Sequence, residues 1–148
     1  MIADLLHRLF ADPTPEPLPE TQARLAMAAL LVRVARTDGD YTAKERERIE
    51  RVLAETYRLG DTEASALRHD GETAESDAPD TVRFTRVIKD AVPYENRTSV
   101  VEGLWRVAAA DGVNEDEHAL LRLVANLLGV SDQDSGIARQ KAMQRYGQ

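Results

Sequence analysis

The chain has 148 residues, a net charge of -7, a pI near 5.0 and no cysteine. That length suits one domain able to bury its own core, and the missing cysteines exclude structural disulfides and thiol catalysis, in keeping with a reducing cytoplasm. The acidic balance argues against nucleic acid as a partner, because phosphate binders gather Lys and Arg on one face, and aromatics at 5% leave few stacking platforms. No apolar run approaches the roughly 18 residues that a membrane span requires, and the opening MIADLLHRLF lacks the architecture of a cleavable signal. A soluble, cytoplasmic protein is expected.

Residues 2 to 10 place Ile2, Leu5, Leu6, Leu9 and Phe10 at helical spacing, which predicts a short amphipathic helix. Such a helix packs on its own domain or on a twin subunit in a homodimer, or docks on a protein partner or a membrane surface. Residues 11 to 19 follow as a proline-rich linker: ADPTPEPLPE holds four prolines, each lacking a backbone donor and holding the chain extended. Residues 20 to 148 then form the main domain.

From Thr21 to Thr37 the chain is apolar on nearly every side, as in ARLAMAALLVRVA, which predicts a helix at the centre of a bundle. A second helix starts near Thr42, where TAKERERIERVLAETY alternates charge on one face and sets Ile49, Val52 and Leu53 on the other. Residues 61 to 80 are acidic and poorly periodic; Ala64 and Leu67 support a short helix, punctuated by Asp70-Gly71 and Ala78-Pro79. TVRFTRVIKDAV alternates like a strand, but Phe84, Val87, Ile88 and Ala91 fit helical spacing and no second strand exists to pair with it, so helix is expected. After Pro93, RTSVVEGLWRVAAADG repeats the character of the central helix. NEDEHALLRLVANLLGV follows, stopped by Gly129, and a last helix opens at Ser131.

Two segments echo each other. At an offset of 73, Leu31, Arg33, Val34, Ala35, Asp38 and Gly39 match Leu104, Arg106, Val107, Ala108, Asp111 and Gly112. Past the glycine the offset becomes 72, and Glu45, Ile49 and Val52 match Glu117, Leu121 and Val124. The repeated unit is an apolar helix, an Asp-Gly turn and an amphipathic helix. Within it, Thr42-x-x-Glu45 and Asn114-x-x-Glu117 have capping-box spacing, and Gly39 and Gly112 supply the positive φ that ends a helix.

Capping explains the spacing but not the placement. Asp38 and Asp111 continue the apolar stripes that precede them, and Glu45 and Glu117 open the stripes that follow, so four acids aim toward helix interfaces. Carboxylates drawn out of water need a cation, a basic side chain or strong hydrogen bonds. Ca²⁺ or Mg²⁺ would take oxygen ligands from Asp38, Asp40, Glu45, Asp111 and Glu117, with Asn114 as an amide donor. Arg33 and Arg106, set within apolar helices, offer the alternative of internal salt bridges. Neither turn is an EF-hand, since Ala43 stands where the loop needs glycine and Ile49 where it needs glutamate. His7, His69 and His118 have no close His or Cys companions for zinc, and His118 is expected on the surface. No nucleophile motif or phosphate loop accompanies the acids, so the chain reads as a non-enzymatic binding protein rather than a metal-dependent hydrolase.

ALLVRVARTDGDYTAKE, RFTRVI and LWRVAAADGVNEDEHALLRLVANLLGVSDQD resemble the tellurite-resistance TerB-like family, whose members carry an ADG…E pattern at the junctions of paired helices. The N-terminal domain of the membrane co-chaperone DjlA is similar too. The resemblance spans about residues 20 to 140. It implies an all-helical TerB-like bundle of about seven to eight helices and a role in stress or metalloid-ion responses, often in assemblies at the membrane. It also implies metal binding by the turn acids, here Asp38, Glu45, Asp111 and Glu117.

Overall fold

The computed structural model describes residues 17–37, 39–78, 80–111 and 115–146, of which 17–19, 111, 145 and 146 are described by backbone alone. Residues 2 to 10 and most of the proline-rich linker lie outside the described residues. Seven helices follow in chain order among the described residues: α1, Pro17–Arg36; α2, Ala43–Tyr57; α3, Asp61–Asp77; α4, Thr81–Ala91; α5, Tyr94–Ala108; α6, Glu115–Leu127; and α7, Asp132–Tyr146. A 3-10 turn, Ala109–Asp111, joins α5 to the segment before α6. No described residue is in a strand. The protein is an all-helical bundle, and α1 opens three residues inside the proline-rich stretch.

The apolar character of α1 has a direct structural consequence. It packs against α2, α3, α4, α5 and α6, and Ala28, Ala29, Leu31, Val32, Val34 and Ala35 have no exposed surface at all. Around it lie Ile49, Val52 and Leu53 of α2, Phe84 and Ile88 of α4, Leu104 and Val107 of α5, and Leu121 and Val124 of α6. These are the stripes that helical spacing predicts. α4 is the segment whose alternation mimics a strand; Asp80 caps it by accepting from the Val82 N–H at 2.9 Å, and Phe84, Thr85 and Ile88 form its buried face. α7 packs mainly on α5, and also touches α6 and the 3-10 turn. Gly129, at φ 75, ends α6 with the Val130 N–H returned to the Ala125 carbonyl at 3.0 Å, and Ser131 caps α7 by accepting from the Asp134 N–H at 3.1 Å.

α3 departs from expectation. It is a continuous helix of 17 residues that runs through Asp70-Gly71 without a break. Gly71 is buried against α1: a Cβ there would lie 2.7 Å from the Ala28 Cβ and 2.8 Å from the Ala28 carbonyl carbon. The glycine marks a close helix crossing, not a turn. Only Ala64 and Gly71 of α3 are fully buried, with Leu67 and Ala74 partly so, and this thin apolar face is why periodicity fails to reveal the helix.

Candidate functional site

The first turn connects α1 to α2. α1 stops at Arg36, Thr37 turns its hydroxyl back to the Arg33 carbonyl at 2.9 Å, and the Gly39 N–H reaches the Arg36 carbonyl at 2.9 Å. Gly39 adopts φ 82, a conformation that side chains disfavour. Thr42 then caps α2. Its hydroxyl accepts from the Glu45 N–H at 3.1 Å, and Glu45 Oε1 accepts from the Thr42 N–H at 2.9 Å, which completes the reciprocal box read from the sequence. Glu45 is only 1% exposed, so the cap forms in the interior, whereas Asp40 is exposed. Asp38 lies outside the described residues.

The second turn is built differently. α5 runs into the 3-10 turn, and α6 begins at Glu115, so Glu117 is its third residue as Glu45 is the third of α2. Glu117 is likewise 1% exposed. The Asp111 side chain, Gly112 and Asn114 fall outside the described residues. The 3-10 turn packs against α2, and Arg48, one helical turn after Glu45, donates to the Arg106 carbonyl at 2.9 Å. The stripe argument thus places both glutamates correctly. Among the described residues no group of three His, Asp or Glu side chains is arranged to hold a metal ion.

Both arginines of the apolar helices reach acids across the bundle, and the partners are Glu75 and Glu55. Arg106, 4% exposed, donates to Glu55 at 2.7 and 3.1 Å. Arg33 donates to Glu75 Oε2 at 3.2 Å, to the Thr81 hydroxyl at 3.0 Å, to the Glu75 carbonyl at 3.2 Å and to the Ala78 carbonyl. Arg36 joins at Glu75 Oε1, 2.6 Å away. The last turn of α3 contains Glu75 and Asp77 and no basic residue, which opposes the helix dipole; α1 supplies the missing cations and caps the free carbonyls.

Beside the first turn lies a network that sequence reasoning does not reveal. The Tyr41 hydroxyl donates to Glu72 at 2.7 Å, and Arg68 bridges Glu72 at 2.5 Å and Glu50 at 2.6 Å. Burial, aided by Glu72, raises the Tyr41 hydroxyl well above its ordinary value, so it remains a donor. Burial of Glu72 opposes its ionisation, but Tyr41 and Arg68 outweigh this and hold its carboxyl below the usual range. Its contribution to stability is therefore full above the unfolded value near 4.5 and is lost as pH falls through the lower folded value. Thermal unfolding should show wild type more stable than Glu72→Gln at about pH 6, with the gap narrowing as the pH falls below the unfolded value near 4.5. A gap that does not change with pH would remove the ionised carboxylate from this network.

His118 differs from its predicted surface position. It is half-buried, edge-on to Trp105, with ring centroids 5.3 Å apart and planes at 72°. The lone tryptophan draws the imidazole inward.

A central apolar helix, packed against five others and flanked by two turns that each bury a glutamate, defines the class of helical bundle to which the chain belongs. Residues 24–140 match the family model described as tellurite resistance protein TerB, and the chain belongs to that family. No curated protein matches significantly. The fold is similar to the crystal structure of a protein of unknown function from Porphyromonas gingivalis W83, at a TM-score of 0.63 and 16% identity, over 86% of this chain and 89% of that one. At that identity the likeness concerns the fold alone.

Proposed function

We propose that this TerB-family chain is a non-enzymatic, cytoplasmic binding or scaffold protein of a stress response, which holds a divalent cation at its two acidic turns. The supporting observation is the paired burial of Glu45 and Glu117, each 1% exposed and each the third residue of a helix that follows an Asp-Gly turn. A cap alone does not require burial. The donors Asp38, Asp40, Glu45, Asp111, Asn114 and Glu117 are all oxygen ligands, which suits Ca²⁺ or Mg²⁺ better than zinc. A bound cation would offset the repulsion of these acids and tie one hairpin to the other. Calorimetric titration of the chelated protein with Ca²⁺, Mg²⁺, Mn²⁺ and Zn²⁺ should give saturable binding of a hard ion. Asp38→Asn combined with Asp111→Asn should weaken it about tenfold or more, and binding that survives both substitutions refutes the site.

The scaffold role calls for a protein partner, at the membrane or away from it, met through residues 2 to 10. No helix among the described residues is long and apolar enough to cross a membrane itself. Two grooves flank the N-terminal half of α1, one of about 680 Å³ that includes Ala23, Tyr57 and Val100, the other of about 410 Å³ that includes Leu25, Phe84 and Val87. They put apolar surface beside the point where the N-terminal segment joins the bundle. Deletion of residues 1–16 should abolish partner capture and leave the melting temperature nearly unchanged; a large fall in melting temperature would make the segment part of the core instead.

A further inference from the structure

Away from the acidic turns, α5, α6 and α7 line an open cleft of about 220 Å³ with Trp105, His118, Arg122, Ser135, Gly136 and Arg139. In a chain of net charge -7, this lining sets two arginines and a histidine against one carboxylate, Asp132. Neither Arg122 nor Arg139 makes an ion pair among the described residues. Arg139 instead lies over the Trp105 ring, 5.0 Å from its centroid, opposite in role to His118 at the ring's side. The positive end of the α7 dipole adds to this local field.

Two further observations point to a ligand. Trp105 is 2% exposed, yet its Nε1–H has no hydrogen-bond partner, and buried indoles ordinarily find one. Gly136 sits inside α7, where glycine weakens a helix, and a Cβ there would meet nothing within 4 Å. Neither packing nor a positive φ calls for this glycine. It is an exposed part of the cleft lining, next to Ser135 in the chain.

We propose that this cleft binds a small oxyanion, either inorganic phosphate or the phosphoryl end of a small molecule. Arg122 and Arg139 supply the charge, and the Ser135 hydroxyl supplies a neutral donor. His118 fixes the plane of the indole. The site is independent of the cation proposed at the turns and shares none of its ligands.

Trp105 is the sole tryptophan, so its emission reports on the cleft in the intact chain. Titration with inorganic phosphate and, separately, with glycerol phosphate, at ionic strength held constant with KCl, should give a saturable emission change and a matching calorimetric isotherm. Saturation by phosphate alone assigns the free ion, by glycerol phosphate alone the esterified group, and by both their shared phosphoryl chemistry. Arg122→Gln with Arg139→Gln should raise the calorimetric Kd at least about tenfold, since charge-assisted bonds carry the recognition. Gly136→Ala should raise the melting temperature through helix propensity and still weaken binding by adding a methyl group to the cleft lining. A response that is linear, that KCl alone reproduces, or that persists unchanged in the double arginine variant overturns the proposal.

Discussion

Gly71→Val should destabilise the fold by about 3 kcal/mol or more, a large share of the roughly 5–15 kcal/mol that holds a domain of this size together. The obstacle is backbone rather than a yielding side chain: the new Cβ would stand 2.8 Å from the Ala28 carbonyl carbon and 2.7 Å from the Ala28 Cβ. Relief requires α1 and α3 to separate, and α1 is held on its other sides by α2, α4, α5 and α6. Gly71→Ala meets the same contacts but gains up to about 1 kcal/mol of helix propensity, so its net loss should be smaller, about 1–2 kcal/mol. Urea unfolding of both variants measures the two losses. If Gly71→Ala were instead more stable than wild type, the crossing would have slack and the glycine would be a mere weakness in α3.

Arg33→Met should cost about 3 kcal/mol by the same measurement, because it strips several partners at once. The side chain is 15% exposed, and its guanidinium serves one carboxylate oxygen of Glu75, the Thr81 hydroxyl and two main-chain carbonyls at the end of α3. Glu75 keeps Arg36 at 2.6 Å, so the loss falls mainly on the carbonyls, which then lie partly buried without their donor. Arg33→Lys should recover little, since an ammonium lacks the planar fork that serves partners in several directions. Full recovery with lysine would mean that charge near the α3 terminus matters and the geometry does not.

Sequence periodicity made α1, α2, α4 and α6 legible because each buries a stripe of its own. α3 was not legible in the same way: its stability comes from Ala28 fitting against Gly71 and from Arg33 and Arg36 capping its acidic end, all three supplied by α1. The Thr42 and Glu45 cap was readable, being local, and the steps from Glu45 to Ile49 and Val52 correctly turned it inward. The Tyr41, Glu72, Arg68 and Glu50 network was not, since its links join residues 31 and 18 apart, and only the α2–α3 packing brings them together. The Asp-Gly repeat led to both buried glutamates. It gave no sign of the Trp105 cleft, which depends on α7, a helix without a counterpart in the repeated unit.

The burial of the α1 midsection, Ala26 to Val32, bears on how such a chain could vary. The sequence pattern reads as two similar hairpins, a reading that would suggest separable halves, yet α1 of the first rests on both helices of the second, α5 and α6. Neither half could be severed without opening the most apolar helix to water. The two parts of the chain are thus joined through one shared helix.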